Sequence, residues 1–225
     1  MEFHVTRHRF LNIPLVRPLR NTFLEEVRDC LVPFFPGYRK AIETIERRNL
    51  HFAKAVLEVT GKTFFADAQK DSIRIKFLRD IDELDLRVVH LVRDLRAGTA
   101  SFMKNQGIGD PAKAARLWLI ANMNSERAKR YLSPDRWLKI TYDDLCLNTQ
   151  GVMDRIADFV GTRHSPVPSD VYAPEHHIIG NRMRLKRDGT VRADNSWKDK
   201  LSEQQLRVIA QVAGEANRRF GFDWP

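Results

Sequence analysis

The sequence predicts an α/β fold in which a mostly parallel sheet is covered by helices on both faces. Three observations carry this reading. Short apolar, β-branched runs alternate along the chain with longer segments of helical periodicity. The clearest run, LRVVHLV, ends abruptly in a charged cluster, Arg93, Asp94 and Arg96. No linker divides the 225 residues, so the chain reads as one domain, 1–225.

The elements follow in order. Residues 1–20 are basic and irregular, with Pro14 and Pro18 breaking any helix. A short helix is expected over 21–31, before Pro33, Pro36 and Gly37. A long helix is expected over 38–60, with Ile42, Ile45, Phe52, Val56 and Val59 on or near one stripe and Gly61 closing it. The aromatic run TFFADA predicts a first strand over 63–68, and a helix is expected over 73–81. The second strand is 86–93, followed by a helix over 95–104. Asp110 then offers an N-cap with Pro111 at the first helical position, opening a helix that runs to about residue 131. WLKITY predicts a third strand over 137–142. A helix over 149–160 stops at Gly161, and a proline-bearing loop covers 162–174. The last helix, 202–220, opens with Ser202 and Gln205 in capping-box spacing.

Composition narrows the partners. A net charge of +9, from 38 Lys and Arg against 29 Asp and Glu, points to an anion: nucleotide, phosphate, sulfate, acidic glycan, nucleic acid or membrane surface. A basic domain with no specific polyanion fits the same charge. Cys30 and Cys146 are in neither a metal-spaced pair nor a disulfide framework, which favours buried thiols in a reducing, cytoplasmic setting. No metal is expected. No apolar run approaches the length of a membrane span, and the amino terminus lacks the apolar core of a signal peptide. There is no recognition-helix pattern for sequence-specific nucleic acid, no GxSxG elbow and no Walker lysine motif.

The candidate site residues gather at the carboxyl edge of the expected sheet, where open α/β folds bind ligands. Arg93 ends a strand and Ser101 follows eight positions later on a helix. They can converge on one anion, with helix amides assisting. Equally, Arg93 can be a surface arginine paired with Asp94, and Ser101 can face solvent. Lys70, just past the 63–68 run, can serve as a point charge, as can Arg74 one turn on; either can be a solvated loop cation. Gly180, Asn181 and Arg184 form a glycine–arginine loop able to approach an anion, or simply a basic loop. Trp118 has core spacing on its helix, and Tyr142 can stack on a base or serve structure. His90, inside a strand, reads as structural.

The order of these motifs resembles the sulfotransferases that use 3′-phosphoadenosine 5′-phosphosulfate (PAPS), particularly the bacterial and carbohydrate- or tyrosine-type branch. ADAQKDSIR is similar to the family's strand-end aspartate and lysine, with Asp67, Lys70 and Arg74 in register. LVRDLRAGTAS matches the 3′-phosphate motif at Arg93 and Ser101. Trp118 and Asn122, then Tyr142, Asp143, Asp144 and Leu145, follow in family order. HHIIGNRMR and ADNSWKDKL supply Gly180, Asn181, Arg184, Asp194 and Trp197. The resemblance covers roughly 60–222. It implies a P-loop-like three-layer α/β/α fold. It also implies that Arg93 and Ser101 bind the 3′-phosphate of PAPS, with Arg184 supporting them. Tyr142 and Trp118 would lie near adenine, and Lys70 would reach the sulfuryl group.

One departure is large. The family begins with a strand and a glycine-rich loop that cradles the 5′-phosphosulfate, and no such loop precedes the TFFADA run. Glu2, His4, Glu25 and Glu26 are early carboxylates and a histidine, but none sits in a motif, so the catalytic base is unassigned. Loss of a central strand would leave a gap between the 86–93 and 137–142 strands, costly in unpaired backbone. The domain is then amino-terminally incomplete, or residues 2–6 fill the gap, or the strands close up. The expected function is sulfuryl transfer from PAPS to a hydroxyl or amine of a small-molecule or glycan acceptor. The alternative is a catalytically inactive nucleotide-binding remnant or a basic interaction protein.

Overall fold

A computed structural model describes residues 36–68, 74–168 and 191–224, together with Cys30, Phe34 and Ser72. The chain divides into two compact units with the boundary between Asp67 and Ala68. The helix expected over 21–31 lies outside the described residues, apart from Cys30.

In the first unit, α1 spans Pro36–Thr60 and is closed by Gly61 at φ 62°. That left-handed conformation suits glycine and ends the helix. The buried stripe is Leu50 and Ala53, with Val56 and Leu57 half-buried, whereas Phe52 and Val59 are exposed. Of the expected stripe, Val56 is half-buried and Phe52 and Val59 face outward, while the side chains of Ile42 and Ile45 lie outside the described structure. The 63–68 run is not a strand. It is irregular, and its Phe65 ring meets Phe52 of α1 edge-on at 5.8 Å. A strand needs a ladder partner, and among the described residues this run has none; its aromatic mass goes to a helix contact instead.

The second unit carries the α/β architecture. Helix α2 spans Arg74–Leu78, shorter than expected, and β1 spans Val88–Val92. Helix α3 spans Leu95–Gln106, capped by Asp94 and ended by Gly107 at φ 65°. Helix α4 spans Pro111–Ala128, with the Asp110 side chain accepting from the Ala112 amide and Pro111 in the first turn. A 3-10 turn, Lys129–Tyr131, follows in place of the last expected helical turn. Strand β2 spans Trp137–Thr141.

Sequence placed Tyr142 at the end of that strand, but it begins helix α5, Tyr142–Leu147. Thr141 is the cause: its hydroxyl accepts the Asp144 amide as an N-cap, and Asp143 and Asp144 sit in the first turn, where the helix dipole favours carboxylates. Helix α6, Thr149–Val160, is capped by Asn148 and closed by Gly161 at φ 74°. Helix α7, Glu203–Arg219, has both halves of the Ser202–Gln205 capping box in place.

Strands β1 and β2 pair directly and in parallel, Val88 opposite Trp137 through Val92 opposite Thr141. The expected gap between them is absent, because the strands have closed up. Among the described residues the sheet has these two strands. Only one face is well covered: His90 and Val92 are buried, while Val89 and Leu91 are 37% and 48% exposed.

Helices α3, α4 and α7 pack on one another and on the carboxyl end of β1. Their core gathers Val92, Leu95, Ala115, Trp118, Ile209, Ala213 and Phe220. Leu95 and Ile209 are fully buried, each worth about 1.5–3 kcal/mol of apolar transfer. A smaller cluster of Ile75, Ala128 and Trp137 lies at the amino ends of the strands. No described helix is long and apolar enough to cross a membrane.

Candidate functional site

The strand register builds the site. Because Val92 faces Thr141, the next residues out, Arg93 and Tyr142, leave the sheet side by side at its carboxyl edge. The Arg93 guanidinium lies over the Tyr142 ring, 4.6 Å from its centroid. Aromatic stacking of this kind favours arginine over lysine. Beneath, Trp118 of α4 donates its indole N–H to the Arg93 carbonyl at 3.0 Å. That indole is 3% exposed and meets Phe220 edge-on. Of the two readings of Trp118, core packing is the one its burial matches: the ring supports Arg93 from below.

Arg93 is not paired with Asp94. Its Nη2 donates to the Asp194 carbonyl at 3.1 Å and lies 3.3 Å from Asp194 Oδ2. Tyr142 completes a strap, its hydroxyl donating to the Arg192 carbonyl at 3.2 Å. The Arg93 Nε is buried with no partner among the described residues. A buried guanidinium N–H without an acceptor is costly, and a phosphate or sulfate oxygen is the acceptor that suits it. The free Nε of Arg93 therefore suits an anionic acceptor.

Asp94 instead caps α3 and holds Arg96, with Arg96 Nη2 2.6 Å from Asp94 Oδ2. Arg96 lies over Trp197 and Trp224, at 4.5 and 5.1 Å from their centroids, and donates to the Asp223 carbonyl. Its role is to pin the carboxyl-terminal segment onto the strand–helix junction. Two amides of the first turn of α3, expected to assist an anion, are engaged: Leu95 donates to Asn217 Oδ1 and Arg96 to Asp94 Oδ1.

Ser101 is half-buried in the second turn of α3, its hydroxyl accepting from Asn105 at 3.0 Å. Lys70, Gly180, Asn181 and Arg184 lie outside the described residues. Asn122 turns inward, its Oδ1 3.3 Å from His90 Nε2, while Glu126 lies 3.3 Å from His90 Nδ1. Burial lowers the His90 pKa.

The electrostatics are mixed rather than purely basic. Burial chiefly, helped by Cys146, pushes the Tyr142 phenol up to about 12, so it stays a donor. Asp143 is raised by burial and by the nearby Asp94 charge. Hydrogen bonds from Ser196, and then Arg93, hold Asp194 down at about 2. Sequence gave Asp194 no role beyond its place in ADNSW, because its contact spans 101 positions. Asn217 carried no signal at all.

Comparison with known proteins bears on this geometry. Residues 74–166 match the model of the sulfotransferase family. Human carbohydrate sulfotransferase 2 is 22% identical, with 86% of this chain and 47% of that protein aligned. The chain thus spans about half the length of the curated relative it matches. The sulfotransferase domain of the Synechococcus PCC 7002 olefin synthase is similar in fold, with a TM-score of 0.53 at 20% identity over 97% of this chain and 80% of that one. The sulfotransferase domain of the curacin biosynthetic pathway aligns over 64% of this chain and 59% of its own, at 20% identity and a TM-score of 0.45.

Proposed function

We propose that this chain, whose residues 74–166 match the sulfotransferase family, transfers a sulfuryl group from PAPS to a hydroxyl or amine of a small-molecule or glycan acceptor. The single observation that supports this most is Arg93 itself. It leaves β1 at the sheet's carboxyl edge, stacked on Tyr142, with a buried Nε lacking an acceptor. Arg93 and Ser101 are assigned to the 3′-phosphate, with Arg184 as a further cation. Tyr142 borders the adenine side, and Trp118 fixes the Arg93 backbone. Lys70 is assigned to the sulfuryl end. PAPS supplies an activated sulfuryl group; the chain's part is to bind and orient it and to place cations where charge develops. A cytoplasmic location belongs to the same reading, although the cysteines are not the buried pair expected: Cys30 is exposed and Cys146 half-buried.

Calorimetry with 3′-phosphoadenosine 5′-phosphate (PAP) tests the donor site. The parent should bind, and Arg93→Ala should bind at least about tenfold more weakly, as expected from losing a charged hydrogen bond worth about 1.5–3 kcal/mol. Equal binding by a folded Arg93→Ala, or none by the parent, would refute the assignment.

A further inference from the structure

We propose that Asp194 is an internal competitor for the 3′-phosphate: its carboxylate and carbonyl occupy the fork of Arg93, and nucleotide binds fully only when the 192–194 strap lifts. This rests on the donor-site reading above and adds to it a built-in control on affinity.

The argument starts from guanidinium geometry. An arginine grips an oxyanion with two parallel N–H bonds, either through Nε and Nη2 along its side or through Nη1 and Nη2 at its tip. Both grips need Nη2. In this structure Nη2 is the atom held by Asp194, which approaches it with Oδ2 at 3.3 Å and its backbone oxygen at 3.1 Å. Nε has no partner among the described residues. Nη2 carries two N–H groups, so Arg93 is a donor whose two-point grip is shared, at one nitrogen, with the carbonyl and carboxylate of Asp194.

Three further observations make this contact releasable. Asp194 is 46% exposed, so moving its carboxylate into water carries no large desolvation cost. Its Oδ1 is bound by the Ser196 amide at 3.0 Å, a local turn that can travel with it. The Tyr142 hydroxyl ties this strap to the sheet edge through the Arg192 carbonyl, a single neutral hydrogen bond at 3.2 Å. Asp194 is ionised at any working pH, so it competes as a full charge. Asp143 adds a further carboxylate close enough to Arg93 to feel its charge. An entering phosphate must replace a carboxylate, and its apparent affinity is reduced by the fraction of molecules in which the strap is closed.

The test compares PAP with adenosine 5′-monophosphate, which lacks the 3′-phosphate, on the full chain by calorimetry. Asp194→Asn keeps the acceptor for Ser196 and removes the charge. It should bind PAP about threefold or more tighter than the parent, the reciprocal of the parent's open fraction, with the monophosphate unchanged. Tyr142→Phe keeps the ring under Arg93 and removes the hydroxyl that bonds the Arg192 carbonyl and meets Cys146. It should shift PAP affinity in the same direction and keeps the test alive if the first variant does not fold. Equal or weaker PAP binding by Asp194→Asn overturns the proposal and makes Asp194 a positioning residue for Arg93. An equal gain for both nucleotides also overturns it, since the effect is then general charge. PAP binding to neither parent nor variant overturns the donor reading itself, and the competitor with it.

Discussion

Gly98 shows how tightly single residues set this site. A Cβ built there would lie 2.5 Å from Trp118 Cδ1 and 3.0 Å from Nε1, in a core with no room to relax. The same indole holds the Arg93 carbonyl. Gly98→Ala should therefore cost about 1–3 kcal/mol by overpacking. It should also weaken PAP binding by tilting Arg93; urea denaturation and calorimetry on the same samples check both. Sequence alone marked Arg93 and Tyr142, because a strand-terminal arginine and a strand-terminal aromatic are local signals. It could not pair them, since their contact depends on the β1–β2 register. It left Asp194 without a role for the same reason: the partner lies in a distant segment, and no periodicity links the two.

Helices were the most legible elements, because their boundaries are written in adjacent residues. Asp110 with Pro111, Ser202 with Gln205, and Gly161 each cap as their spacing predicts. Strand 63–68 was misread because composition favours a strand without supplying a neighbour. Tyr142 was misplaced because a threonine cap outweighed an apolar run. The junction of α7 with α3 was invisible: Asn217 is fully buried and accepts the Leu95 amide at 2.9 Å. Asn217→Ala leaves that amide unpaired and should lower stability by about 1–3 kcal/mol. Ser202→Ala, which removes one half of an exposed cap, should cost about 1 kcal/mol. Equilibrium denaturation of the two variants side by side should reproduce that ordering.

At the scale of the whole molecule, acid should weaken the fold through His90. Burial lowers its folded pKa below the ordinary 6.5, against the opposing pull of Glu126 on α4 and with Lys139 on β2 adding to the shift. Its contribution is complete above pH 6.5, where the ring is neutral in both states. It is lost as pH falls through the lowered folded value, because the unfolded chain takes up the proton first. His164 runs the other way: its pKa is raised by Asp158, so its contribution is present below 6.5 and lost above its folded value. That side chain is fully exposed and screened, so His90 should set the trend. Urea midpoints at pH 7.5 and 5 should fall for the parent and fall less for His90→Gln. The bonds joining α3 to the carboxyl-terminal segment carry a last consequence, one of timing. Leu95 waits for Asn217 and Arg96 for Trp224, more than 120 positions downstream. A growing chain that lengthens by about 5–20 residues per second therefore carries β1 and Arg93 for several seconds before their supports exist. The strand–helix junction that carries Arg93 completes its packing only once the carboxyl-terminal segment has been made.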